Sequence, residues 1–180
     1  MTAAATQRLF FALWPDARAR ARLARLAAEV AHHAQGRAPR AESLHVTVAF
    51  LGPVAAERLP GVLRAGEAAV AGVDPFDLAL ERMGGTAYGI AWLAPDAVPE
   101  PLRTLHERLA AALEMAGFPR ERRMFRPHVT LARDCARAAQ RGAIAPISWT
   151  TRRLALVAST PAAGGSRYRD VASWPLESAR

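Results

Sequence analysis

The sequence predicts an α/β or α+β fold with an internal pseudo-two-fold. Segments with strand and helix character alternate along the chain, and the order strand, helix, strand occurs once in each half. A six-residue pattern also occurs twice in the 180 residues, as His45-Val46-Thr47-Val48-Ala49-Phe50 and His128-Val129-Thr130-Leu131-Ala132-Arg133. A chain of this length suffices for one domain with a full hydrophobic core, so a single domain over residues 1–180 with two related lobes is expected.

The elements follow in order. Residues 8–14 are apolar and β-prone, which predicts a first strand, and residues 16–34 carry Leu23, Leu26 and Val30 on one helical face. The first motif strand, 44–51, is expected to stop at Gly52-Pro53. A second helix spans 55–71, interrupted or delayed by Pro60-Gly61. Residues 76–81 and 86–93 suggest a hairpin turning at Gly84-Gly85. A third helix over 99–116 aligns Leu102, Leu105, Leu109 and Leu113 and ends at Gly117. After the second motif strand comes a polar connection, 134–146, then strands near 154–160 and 168–174 around a loop, 161–167, containing Gly164-Gly165.

Within each repeat the alternation sends Val46 and Val48, or Val129 and Leu131, to one face and the His and Thr to the other. An imidazole and a hydroxyl thus lie roughly 7 Å apart along each strand. Two such strands brought together about an approximate two-fold axis present paired imidazoles and paired hydroxyls to one phosphorus centre. Opening a phosphodiester with water needs one group to take a proton and another to give one, and histidine does either near neutral pH. Thr47 and Thr130 can donate to the non-bridging oxygens, and Arg133 is the nearest cation. By alternation Arg133 shares the face of Val129 and Leu131, so it reaches the site only if the strand ends or twists there.

Composition excludes several chemistries. All 24 basic residues are arginine. Without lysine there is neither a lysyl-nucleotide intermediate nor a Walker-type phosphate loop. The net charge of +8 fits nucleic acid but also fits an arginine- and alanine-rich genome. His32, His33 and His106 fall on helices with no His-x3-His or carboxylate cluster beside them, so neither a metal nor any other cofactor is expected. Phe10, Phe11, Phe50 and Phe125 are read as core residues, with one of them available to hold a nucleobase. Cys135, the single cysteine, forbids an internal disulfide and points to a cytoplasmic address, and it is read as a bland small residue and not a nucleophile. No apolar run is long enough to span a bilayer, and the short run at 9–14 lacks a signal-peptide cleavage site.

The chain resembles the two-histidine phosphoesterase superfamily, and within it the RNA 2',3'-cyclic phosphodiesterases, also called LigT-like or 2'-5' RNA ligase proteins. The resemblance rests on Arg-Leu-Phe-Phe-Ala-Leu-Trp-Pro at 8–15, Leu-His-Val-Thr-Val-Ala-Phe-Leu-Gly at 44–52, Phe-Arg-Pro-His-Val-Thr-Leu-Ala-Arg at 125–133, and the closing Tyr168 and Trp174-Pro175-Leu176. It implies a bilobal α+β fold, with two pseudo-symmetric antiparallel sheets flanked by helices around a central cleft. It also implies metal-independent opening of RNA 2',3'-cyclic phosphate ends to 2'-phosphate. His45 takes the place of the acid that protonates the departing 3' oxygen and His128 that of the base that activates water. Thr47, Thr130 and Arg133 take the places of the phosphate ligands. The implied partner is RNA with a cyclic end, with tRNA fragments and small cyclic nucleotides as further candidates, acted on by a monomer. Two alternatives use the same residues: ATP-independent making or breaking of 2'-5' linkages, and a non-catalytic module that holds RNA ends.

Overall fold

The computed structural model describes residues 6–86, 89–139, 141–163 and 165–177. Ala87 and Tyr88, in the expected hairpin, and Gly164, in the expected last loop, lie outside the described residues. The architecture is α+β. In chain order it runs β1 (Thr6–Leu13), α1 (Ala17–Ala34), β2 (Val46–Ala55), α2 (Leu59–Val70), β3 (Phe76–Gly85), β4 (Ala91–Ala94), α3 (Glu100–Met115), β5 (Val129–Ala132), β6 (Gly142–Thr151), β7 (Arg153–Ala162) and β8 (Gly165–Pro175). Two four-stranded antiparallel sheets form, in the orders β2-β1-β7-β8 and β5-β4-β3-β6.

The two units β1-α1-β2 and β4-α3-β5 correspond, and each places its histidine strand at a sheet edge. The lobes are nevertheless not the two halves of the sequence. The last hairpin, β7-β8, returns to the sheet begun by β1 and β2, while β3 pairs with β6. The helices are exchanged as well: α1 packs on β5 and β6 of the other sheet, and α3 packs on β2 and on α2. A sheet face left uncovered by its own helix is thus covered by its counterpart's, and the buried residues of both sheets merge into one large cluster. Within it Leu102, Leu105, Leu109 and Leu113 are all buried, as their spacing predicts. A smaller cluster of Phe10, Ala12, Ala155 and Val157, with Trp14 and Tyr168 against it, lies on the opposite face of the first sheet.

Local signals account for most boundaries. Asp16 caps α1 by accepting the Ala19 N–H at 2.7 Å. Pro60 sits in the first turn of α2, where its missing N–H costs nothing, so the helix starts after a short 3₁₀ turn at Ala56–Arg58. Gly117, at φ +82°, ends α3 with Phe118 N–H bonded to the Leu113 carbonyl at 2.9 Å.

Four expectations need correction. The loop expected at 161–167 is largely strand, because β7 and β8 stay paired up to Ala162 and Gly165. Strand β2 does not stop at Gly52-Pro53 but runs on to Ala55, because it is an edge strand that tolerates a proline and because an extra residue, Leu51, bulges out beside Gly52 at φ +71°. Gly84 and Gly85 are not a turn but the end of β3, where Gly84 opposes Trp92 and its missing side chain leaves room for the indole. The expected polar connection at 134–146 contains the start of β6, again an edge strand, with Pro146 at an irregularity in its pairing to β3.

Leu109 has no exposed surface and belongs to the large core cluster. Leu109→Ala is expected to destabilise the protein by about 2–5 kcal/mol, read as a lower urea midpoint at unchanged slope.

Candidate active site

Strand β2 opposes β1 with Thr47 across from Ala12 and Ala49 across from Phe11, so Val48 is an extra, bulged residue. Strand β5 opposes β4 with Thr130 across from Trp92 and Ala132 across from Ala91, so Leu131 is extra in the same way. Both bulged side chains are buried. Each bulge reverses the alternation one residue beyond the threonine, and the residue three places on turns back to the face of the histidine. That residue is Phe50 in the first motif and Arg133 in the second.

The bulges bring the expected site together. His45, Thr47, His128, Thr130 and Arg133 all line one cleft of about 550 Å3. Arg8, Arg37 and Arg40 add three more guanidinium groups, and among the described residues no carboxylate lines the cleft. Phe50, read from sequence as core, is 59 % exposed and lines the cleft, with the Arg8 guanidinium 5.0 Å from its ring centre. Phe10 and Phe11 are buried, and Phe125 is half-buried.

The two imidazoles are held alike. Nδ1 of His45 lies 2.7 Å from the Ser43 carbonyl and Nδ1 of His128 lies 2.8 Å from the Arg126 carbonyl, in each case two residues back. A carbonyl only accepts, so Nδ1 carries the hydrogen in both rings and Nε2 is left for chemistry. Pro127 restricts Arg126 to extended backbone, which fixes where that carbonyl points. The Thr47 hydroxyl lies 3.1 Å from Nε2 of His45.

Their surroundings differ. His45 is half-buried and has Phe10, Tyr168 and Trp14 at ring-centre distances of 4.9, 5.2 and 5.5 Å, whereas His128 is exposed, with Trp92 at 6.4 Å. Burial first, then the positive charges of Arg133 and His128, hold the His45 imidazole down to about 4, against the opposing pull of the Ser43 carbonyl. His45 is therefore neutral from just above that pH.

Sequence reasoning missed Tyr168 and Trp14 as part of the site, since their proximity to His45 arises from pairing distant strands. It also missed what lies behind the motifs. His106 of α3 bonds through Nδ1 to the carbonyl of the bulged Val48 at 2.9 Å and stacks on Phe125 at 3.8 Å. One imidazole thereby ties the first motif's bulge to the segment leading into the second. At the other end, Arg37 and Arg133 exchange backbone bonds of 2.8 and 3.0 Å, joining the exit of α1 to the end of β5. The approach is so close that a Cβ on Gly36 would stand 2.8 Å from the Arg133 carbonyl. Asp134 pairs with Arg37 at 3.0 Å, and His32 and His33 are exposed at the end of α1.

Comparison with known proteins points the same way. Residues 13–161 match the family model of the 2'-5' RNA ligase superfamily. The chain is 33% identical over 176 residues to the RNA 2',3'-cyclic phosphodiesterase of Escherichia coli strain K12, spanning 94% of this chain and 97% of that one. It is 37% identical over 98 residues to the RNA 2',3'-cyclic phosphodiesterase of Geobacillus stearothermophilus, spanning 51% of this chain and 30% of that one. The crystal structure of Escherichia coli LigT complexed with 3'-AMP superposes with a TM-score of 0.85 at 31% identity, covering 96% of this chain and 99% of the other.

An NMR titration of the imidazoles should find His45 changing protonation near pH 4, well below its ordinary 6.5, and Arg133→Ala should move it upward. Because the folded value lies below the unfolded one, stability should fall as the pH drops from 6.5 towards 4. A His45 midpoint at 6.5 would contradict the burial and charge described above.

Proposed function

Because this chain belongs to the 2'-5' RNA ligase superfamily, we propose that it hydrolyses the 2',3'-cyclic phosphate ends of RNA to 2'-phosphate, without a metal, as a single domain of two lobes. The observation that carries the reading is the matched pair of imidazoles, each anchored by Nδ1 to the carbonyl two residues back, on two edge strands of one arginine-lined cleft. The names of the two curated relatives agree with it. Water attacks phosphorus as one Nε2 removes its proton, the bond from phosphorus to the 3' oxygen breaks, and the other Nε2 protonates that oxygen. Thr47, Thr130 and Arg133 hold the non-bridging oxygens, where negative charge accumulates.

The family resemblance assigns His45 as acid and His128 as base. With the His45 imidazole held low by burial and by Arg133, this assignment relies on the anionic phosphate of the substrate to raise its pKa. The same observation favours a second reading, in which neutral His45 takes the proton from water and His128 serves as acid. With a 5' hydroxyl in place of water as the nucleophile, either arrangement would open the cyclic phosphate into a 2'-5' phosphodiester without ATP, the bond from phosphorus to the 3' oxygen breaking as before. The single, half-buried Cys135 fits a reducing, cytoplasmic setting. No helix among the described residues is long and apolar enough to cross a membrane.

In EDTA, the protein should convert a short RNA ending in 2',3'-cyclic phosphate to one ending in 2'-phosphate. His45→Ala and His128→Ala should each lower the rate by about 10²–10⁴ while leaving affinity nearly unchanged. An inert wild-type protein that still bound the RNA would instead identify a binding module. The dependence of kcat/KM on pH should be bell-shaped whichever imidazole is the acid, since the product of one neutral and one protonated ring peaks between their pKa values. The roles are separated by a substrate with sulfur in place of the 3' oxygen. That leaving group needs no proton, so it should restore the rate only in the variant lacking the acid.

A further inference from the structure

Beside the cleft lies a second concavity of about 470 Å3 that the proposed chemistry does not use. Arg40, Ser43, Ser166 and Tyr168 line both, so the two share a wall. Trp14 also lines the second concavity, and its ring centre is 5.5 Å from that of His45. The second concavity therefore begins about one aromatic ring away from the reacting phosphate.

Its charges are unbalanced towards an anion. Arg20, Arg40, Arg153 and Arg167 line it, against Glu42 and Asp170. Asp170 is already engaged, accepting from Trp14 Nε1 and from Arg153 Nη1, each at 3.1 Å. Arg20 uses one Nη on the Pro15 carbonyl at 3.2 Å, but its buried Nε has no partner among the described residues. A buried donor left unmet is unfavourable, and a guanidinium is shaped to meet a phosphate. The Arg167 side chain is exposed and makes no hydrogen bond or ion pair among the described residues.

We propose that this second concavity binds the phosphodiester group one nucleotide upstream of the cyclic end, which makes an RNA chain, and not a mononucleotide, the preferred substrate. The inference rests on the hydrolase function proposed above. It divides the work between two sites. The first holds the reacting phosphate without regard to what precedes it, and the second recognises that a chain precedes it.

The test compares kcat/KM for three substrates: a nucleoside 2',3'-cyclic monophosphate, the same nucleotide carrying a 5'-phosphate, and a dinucleotide ending in a 2',3'-cyclic phosphate. The wild type should prefer the dinucleotide over the monophosphate by roughly tenfold or more, and the 5'-phosphorylated nucleotide should recover most of that preference. Arg167→Glu should abolish the preference while leaving turnover of the nucleoside cyclic monophosphate within about twofold, and Arg20→Met should act in the same direction. Equal kcat/KM for all three in the wild type, or an equal loss on all three in Arg167→Glu, would overturn the proposal. So would a dinucleotide preference that the 5'-phosphate does not reproduce, because the second nucleoside would then be what is recognised. If no substrate is turned over, the hydrolase reading fails. Equilibrium binding of the dinucleotide and the nucleoside cyclic monophosphate to wild type and Arg167→Glu then decides the anion site by itself.

Discussion

A β-strand shows alternate residues to alternate faces, and the cleft of this protein depends on two edge strands that break this alternation at the same place. Val48 in β2 and Leu131 in β5 are each one residue too many for the partner strand. Before the extra residue, His and Thr face the cleft; after it, the residue three places beyond the threonine does so too. The second motif gains Arg133 in this way and the first gains Phe50. The pseudo-symmetry thus reproduces the geometry of the repeat while varying its chemistry, with a cation at one end of the pair and an aromatic ring at the other. Edge strands suit the purpose, since a bulge in an interior strand would disturb hydrogen bonding on both sides.

What surrounds the bulges secures them. His106 satisfies the carbonyl of Val48 and stacks on Phe125, and the Arg37–Arg133 bridge fixes the end of β5 against the exit of α1. Both ties run between the two units, since α1 covers the sheet of β5 and α3 packs on β2. The exchange of helices makes each motif's position depend on the other unit, which suits a reaction needing both histidines at one phosphorus.

The same framework separates the two imidazoles chemically. Their Nδ1 anchors are nearly identical, but the first sheet places Phe10, Trp14 and Tyr168 around His45, while His128 stays exposed. Two chemically identical groups in unlike surroundings are what acid–base catalysis requires, since one must be neutral while the other is protonated. One of these rings, Tyr168, also lines the second basic concavity.

By itself the sequence determined which chemical groups are on offer. The repeated His-x-Thr, the absence of lysine and the leucine stripe of α3 follow from residue identity and short-range spacing, and so do the family, the five candidate residues that line the cleft and most of the helices. Tertiary structure alone decided what depends on pairing between distant segments. A bulge is defined only relative to a partner strand, so strict alternation placed Arg133 on the wrong face and Phe50 in the core. Pro53 and Pro146 could be strand residues only because β2 and β6 turned out to be edges. Gly84 looks like a turn along the chain because the indole it makes room for, Trp92, is its neighbour only once β3 and β4 pair. The depressed pKa of His45 belongs to the same class, because burial and the charge of Arg133 reach it across the cleft and not along the chain.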